Sequence, residues 1–183
     1  MADKDGGEML SVTRLHTDRL IGTSLSAEDF DDLCNMHQEP RVMATLGGLR
    51  SAEQTQRFLR ENPDHWEKHG YGIWLFRQQT DRRFVGRGGL RNVTLGGKNE
   101  VEVAYAVLAE FWNKGVATEI ATVSLKVAFE RIGIGNIVAF TLPTNWASRR
   151  VMEKVGLRYE RDITHAELPH VLYRIKREQY RIA

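Results

Sequence analysis

Between Gly72 and Leu108 three strand-type segments follow one another with no helical pattern between them, and this constrains the fold more than any other feature of the chain. Gly72-Ile-Trp-Leu-Phe-Arg and Arg83-Phe-Val-Gly-Arg-Gly-Gly-Leu are separated only by polar Gln78 to Arg82, in the manner of a hairpin. In Glu100-Val-Glu-Val-Ala-Tyr-Ala-Val-Leu the period is two: Val101, Val103, Tyr105 and Val107 share one face, while Glu102, Ala104 and Ala106 share the other. Parallel neighbours need a long crossover, so the three segments predict consecutive antiparallel strands.

Helical signals flank this block. Ser26 to Asp29 and Ser51 to Gln54 fit S-x-x-[DEQ], in which the first side chain satisfies early helix N–H groups and the last reaches back to the cap. They predict helices over 26–38, with Phe30, Leu33 and Met36 inward, and over 51–68, with Phe58, Leu59 and Trp66 inward and an end near Gly70. Thr118 to Arg131 carries an Ile120, Val123, Val127 stripe and stops at Gly133; Asn136 to Leu142 reads as a buried strand. Asn145 caps a further helix to about Lys154, Gly156 ends it, and strands start near Leu157 and at His170. With 183 residues and no repeat or linker, the expectation is one α+β domain over 11–183 behind a flexible tail at 1–10. Its centre is a mostly antiparallel twisted sheet of six to seven strands flanked by helices.

Composition removes several function classes. The formal net charge of +2 is too small, and its cations too scattered, for a nucleic-acid surface. The densest basic run, Arg174 to Arg177, precedes Glu178 and reads as a solvated terminal element. The start of the chain is charged and glycine-containing without an apolar core, and no apolar run is long enough to span a membrane, so a cytoplasmic location is expected. Cys34 is the single cysteine, which rules out an intramolecular disulfide and a cysteine-based zinc site and suggests a buried structural thiol. His165-Ala-Glu-Leu-Pro-His170 could suggest a metal, but Pro169 breaks any single helical face; a loop lining an acceptor pocket is the preferred reading, and no metal is expected.

The most informative segment is Glu110-Phe-Trp-Asn-Lys-Gly-Val-Ala-Thr-Glu, which joins a strand to a helix. Unpaired N–H groups and the positive end of the macrodipole favour an anion there; Gly115 and Ala117 permit close approach, and Lys114 adds a mobile charge. Neither G-x-x-x-x-G-K-[ST] nor G-x-G-x-x-G occurs, and Gly86-Arg-Gly-Gly lies inside a strand, where it reads as a bulge or a close backbone approach.

Six fragments in order, covering about residues 13 to 182, resemble a GNAT-superfamily N-acetyltransferase of the RimJ/RimL-like branch. Thr17-Asp-Arg-Leu is similar to its opening strand motif, Gly72-Ile-Trp and Val85-Gly-Arg-Gly-Gly-Leu to its central hairpin, and Glu102-Val-Ala-Tyr-Ala-Val to its fourth strand. Phe111-Trp-Asn-Lys-Gly-Val-Ala-Thr-Glu is similar to its coenzyme A loop, and Asn145-Trp-Ala-Ser through Lys154-Val-Gly-Leu to its N-x-x-S helix and closing K-x-G-[FL]. The resemblance implies acetyl-CoA as co-substrate, with the pantetheine arm on Ala106, Val107 and Leu108. It also implies a pyrophosphate on Asn113, Lys114, Gly115, Val116, Ala117 and Thr118, and Asn145 and Ser148 near the thiol. Two positions depart from wider GNAT patterns: Trp112 stands where Gln or Arg is frequent, and Met152 where some N-terminal acetyltransferases place a tyrosine acid.

Direct transfer to an amine needs a proton acceptor, since most alkyl amines are protonated at neutral pH. Glu102 is the candidate base; Ser148 is the candidate partner of the departing thiolate and Tyr173 a second acid, with packing roles as the alternative for each. The acceptor is a protein or peptide N-terminus or a small amine such as an amino acid, polyamine or antibiotic; a non-catalytic acetyl-CoA sensor is the rival. Relatives implied by the resemblance are monomers or homodimers.

Overall fold

The computed structural model describes residues 12–180; the expected tail at 1–10 lies outside them. Eight strands form one sheet: β1 (Arg14–His16), β2 (Leu20–Ser24), β3 (Ile73–Gln78), β4 (Phe84–Leu95), β5 (Lys98–Val107), β6 (Asn136–Thr141), β7 (Arg158–His165) and β8 (Leu168–Lys176). Their order is β1-β2-β3-β4-β5-β6-β8-β7, and every neighbouring pair is antiparallel except β5 and β6. Eight strands exceed the expected six to seven because the opening motif is a hairpin: the Thr17 N–H donates to Leu20 O at 3.0 Å and splits it into β1 and β2.

The helices are α1 (Phe30–His37, entered through a 3-10 turn at Ala27–Asp29), α2 (Pro40–Met43), α3 (Ala52–His69), α4 (Val116–Lys126, continued by a π turn over Val127–Ile132) and α5 (Trp146–Lys154). The α3 start is set as expected: Gln54 N–H donates to Ser51 Oγ at 3.2 Å and Ser51 N–H to Gln54 Oε1 at 2.8 Å. Helix α2 has no counterpart in the sequence reading; four residues are too few to show a period, and Pro40 at its first turn is its one signal.

The two faces of the sheet carry different layers. On one, α4 and α5 pack Ile120, Ala121, Leu125 and Met152 against Trp74, Val85, Val103, Ile137 and Tyr173. On the other, Leu33 and Met36 of α1, Met43 of α2 and Leu59 of α3 pack against Ile73, Leu75, Phe84 and Ala106. Burial of this extent, at about 25 cal/mol per Å² of apolar surface, is what holds helix layers to a sheet. Gly86 lies between strands: a Cβ there would stand 2.3 Å from the Ala106 carbonyl oxygen, so the close-approach reading of Gly86-Arg-Gly-Gly fits.

Three expectations are corrected. His165 to His170 is not an acceptor-lining loop but the tight β7–β8 hairpin, in which His165 pairs with Leu168 and Ala166 and Glu167 take positive φ. Arg174 is not solvated; its guanidinium bonds Glu100, Glu160 and Asn136, because the strand alternation turns it onto the sheet face. Cys34 is half-buried, with the Gln38 amide 3.4 Å from its Sγ.

Candidate active site

The parallel neighbours β5 and β6 share a single register pair, Glu102 with Val138, and diverge beyond it. The Leu108 N–H donates to Val85 O of β4 at 2.9 Å. Polar groups of successive residues in an antiparallel strand alternate sides, so Leu108 and Ala106 address β4 while Tyr105 and Val107 address the gap. The Val107 carbonyl accepts from the Trp112 indole at 2.8 Å, which ties the loop to the strand end. The result is a slot through the sheet, with polar backbone on one wall.

At the open end of the slot stands the start of α4. Gly115 adopts φ +77° and Asn113 φ +59°. The first intrahelical bond runs from Glu119 N–H to Gly115 O at 3.0 Å, so the N–H groups of Val116, Ala117 and Thr118 have no partner within the helix. A Cβ at position 115 would meet only Arg19 Nη2, at 3.5 Å, so the backbone is open to close approach. The β1–β2 turn is clamped beside it: Arg19 donates to Glu119 through Nε at 2.7 Å and to Lys114 O through Nη1 at 2.8 Å, and Thr17 Oγ donates to Glu119 Oε1 at 2.5 Å. Arg19, itself paired with Glu119 at 2.6 Å, thus stands beside Lys114 and holds its carbonyl. Residues one hundred apart in sequence give no local sign of such a pair, and the sequence reading missed it.

Across the slot, α5 presents its first turn. The Asn145 side chain accepts from Ser148 N–H at 3.2 Å and donates to the Thr141 hydroxyl at 3.0 Å, which fixes the helix start on the end of β6. Tyr105 OH donates to Ser148 O at 3.1 Å and lies 3.1 Å from Ser148 Oγ. Burial pushes the Tyr105 hydroxyl well above the usual tyrosine range, so it stays protonated. The sequence places Tyr105 only on a strand face; its contact with Ser148 arises because β5 and α5 meet across the slot.

Glu102 marks the closed end, on the α1–α3 face, and is 4 % exposed. Its Oε2 accepts from Arg91 Nε at 2.6 Å, and among the described residues its Oε1 has no hydrogen-bond partner. Tyr173 is not brought together with Glu102. It lies on the α4–α5 face, where its hydroxyl donates to Glu153 at 3.1 Å and accepts from Arg149 Nε at 3.2 Å. Among the described residues no group of three or more His, Cys, Asp or Glu is placed to hold a metal, and no helix is long and apolar enough to cross a membrane. An open depression of about 450 Å³ beside Leu108 is lined by Asp32, Arg77 and Phe84; Asp29 and Asp32 already neutralise Arg77 there.

A slot between diverging parallel strands, leading from an anion cradle to a buried carboxylate, suits a long ligand with a phosphate end and a reactive tip. The model of the Acetyltransferase (GNAT) domain matches residues 19–158. The chain belongs to the GNAT acetyltransferases. Over 92 % of its length this GNAT chain is 27 % identical to the uncharacterized protein YkkB of Bacillus subtilis, of which the match covers 98 %. It is 28 % identical to the FsC-acetyl coenzyme A-N(2)-transacetylase of Aspergillus fumigatus, over 91 % of this chain and 77 % of that one. Among solved structures, an acetyltransferase from Agrobacterium tumefaciens superposes with a TM-score of 0.79 at 22 % identity, covering 90 % of this chain and 95 % of that one. The ribosomal alpha-N-protein acetyltransferase RimL, in complex with coenzyme A, superposes with a TM-score of 0.74 at 16 % identity, covering 87 % and 95 %. At these identities the structures establish the GNAT fold.

Proposed function

We propose that the protein transfers the acetyl group of acetyl-coenzyme A directly to a primary amine. The observation that carries this reading is the slot between β5 and β6, which joins the Gly115 cradle to Glu102. The free N–H groups of Val116, Ala117 and Thr118, with Asn113, Lys114 and Arg19 beside them, hold the pyrophosphate. The pantetheine arm runs along the Ala106 to Leu108 segment and bonds the groups of Tyr105 and Val107 that face the gap. Asn145 and Ser148 stand at the thiol end.

The thioester supplies an activated acetyl carbon; the chain must manage two protons around it. The amine reaches the slot from the α1–α3 face, where the free Oε1 of Glu102 takes a proton directly or through water. The N–C bond forms as the nitrogen gives its proton to Glu102, the C–S bond breaks, and the sulfur gains a proton from the Ser148 hydroxyl once the Tyr105 phenol turns from the Ser148 carbonyl to Ser148 Oγ. Water resupplies Tyr105 in the same relay and carries away the proton held by Glu102, so both groups are restored. Tyr173 serves α5 instead. No acetyl-enzyme is involved, because Cys34 sits on α1 with an amide, not a base, at its sulfur. The acceptor is a peptide or protein N-terminus, with a small amine as the alternative.

Calorimetric titration with acetyl-CoA, followed by measurement of coenzyme A release with a panel of peptides and small amines, tests the proposal. Saturable micromolar binding and acetylated product are expected. Absence of binding by the folded protein overturns the cofactor assignment, and binding without product from any amine favours the sensor.

A further inference from the structure

Two arginines converge on one aromatic ring on the α1–α3 face, with a third beside them. Arg87 of β4 is 6 % exposed and holds its guanidinium carbon 4.9 Å from the centre of the Phe58 ring on α3. Arg50, just before the α3 cap, holds its own 5.8 Å from the same centre. Arg91, four residues along β4 from Arg87 and so on the same face, is paired with Glu102. Among the described residues that is the one ion pair the three make, so neither Arg87 nor Arg50 has a carboxylate in direct contact, although the charge of Glu102 reaches Arg87, and the buried Nε–H of Arg87 has no acceptor.

The neighbouring buried group does not relieve this. Thr55 Oγ donates to Ser51 O at 3.2 Å and therefore accepts from Nδ1–H of His37, 2.9 Å away. The Nε2 lone pair of His37 is left without a donor. Burial, with the charges of Arg87 and Arg50, pushes His37 down to about 3, so the imidazole stays neutral. Burial and the repulsion of Arg50 and Arg91 likewise pull Arg87 down to about 9, still charged at neutral pH. A largely buried guanidinium with an unpartnered Nε–H and no carboxylate in direct contact is unfavourable for folding. Such a group is characteristic of a binding site whose anion arrives with the ligand.

We infer that Arg87 and Arg50 form the recognition site for an acceptor amine that itself carries an oxyanion, a carboxylate or a phosphate, with its nitrogen directed to Glu102. The inference rests on the proposed transfer to an amine at Glu102. It gives that site a substrate class: acidic amines, such as amino acids, phosphorylated amino alcohols or peptides with an acidic first residue. The planar guanidinium presents parallel N–H donors that match an oxyanion, and the Phe58 ring holds the plane of Arg87. Glu102, already neutralised by Arg91, leaves the net charge of the cluster positive, so a polyamine is disfavoured.

The test is calorimetry with coenzyme A present, so that binding is read without turnover. Matched probes are β-alanine against propylamine, O-phosphoethanolamine against ethanolamine, and short peptide amides beginning with aspartate against asparagine. At least one anionic member is expected to bind about tenfold or more tighter than its neutral partner, and the pair that shows it identifies the oxyanion. Arg87→Met should abolish the difference while circular dichroism and thermal melting show a folded protein; Arg87→Lys should keep part of it. Equal affinities within every pair, undetectable binding of all anionic probes, or an unchanged preference in Arg87→Met would each overturn the inference. Selective binding without acetylation from acetyl-CoA leaves this site standing and defeats the acetyl-transfer proposal. Equal acetylation of neutral and acidic amines does the reverse.

Discussion

Arg91 and Glu102 are register partners across β4 and β5, and their side chains meet in an ion pair at 2.6 Å. The pair holds Oε2 and, among the described residues, leaves Oε1 without a hydrogen-bond partner. Glu102→Gln should lower turnover by about 10²-fold at neutral pH, with acetyl-CoA affinity unchanged. Because the Arg91 side chain is 43 % exposed, loss of the pair should cost only about 1 kcal/mol of stability. Steady-state kinetics checks the rate and urea denaturation the stability; an unaltered rate removes Glu102 as the base.

Arg87 gives the opposite sign. Its guanidinium is buried with no acceptor for Nε–H, so the folded state carries a desolvation penalty that the unfolded chain does not. Arg87→Met keeps the unbranched stem out to the position of Nε but removes the guanidinium and its cation–π contact with Phe58, and should on balance stabilise the protein by about 1 kcal/mol. Urea denaturation measures this directly. A fall in the midpoint would show that Arg87 is held for packing alone.

These two arginines also show where the sequence ceases to be informative. The alternation in Glu100 to Leu108 puts Glu102 and Ala106 on one face, and the fold agrees, since period two is a local property of a strand. Its partner was hidden: Arg91 lay between two strand readings, and only the Gly96-Gly97 turn, which pairs Leu95 with Lys98, sets the register that brings it opposite Glu102. The cap of α3 and the glycine at the start of α4 were legible because caps and φ +77° turns impose chemistry on one or two residues. The slot was not legible. Where a parallel strand leaves its neighbour depends on how α4 and α5 pack beneath it, and no residue in β5 or β6 encodes that alone.

His37 supplies a pH prediction. Its pKa lies near 3 in the folded protein against an ordinary value of about 6.5, so below about pH 6.5 the unfolded chain takes up a proton that the native state refuses. The contribution is complete above that value and is lost as the pH falls toward 3. Between pH 8 and pH 5 it amounts to about 2 kcal/mol. His37→Asn should flatten the stability curve over that window, and chemical denaturation at several pH values checks it; an equally steep curve would place the titrating group elsewhere.

Gly115 tests the cradle. An aspartate there would put a carboxylate against the free N–H groups of α4 and strain a backbone at φ +77°, yet Arg19 lies close enough to pair with it, so the fold should survive. Acetyl-CoA affinity should fall by about 10²-fold or more through charge repulsion and lost approach. Gly115→Ala adds a methyl with only Arg19 Nη2 near it and should cost far less. Unchanged affinity in Gly115→Asp, measured calorimetrically, would remove the loop assignment.

Tyr105 and Ser148 can be separated as donors to the departing sulfur. Both hydroxyls lie within one hydrogen-bond network, but Tyr105 also donates to the Ser148 carbonyl, and burial keeps it protonated across the working range. If the proton originates on Tyr105, Tyr105→Phe should lower kcat by about 10–10²-fold with little change in KM for acetyl-CoA. Ser148→Ala should then lose less, since a water can occupy the space of its hydroxyl and complete the relay. The double variant should be no slower than Tyr105→Phe alone, because both changes remove the same proton path. Additive losses would mean that the two residues act on separate steps, with Ser148 holding the thiol end of the slot and Tyr105 holding the first turn of α5.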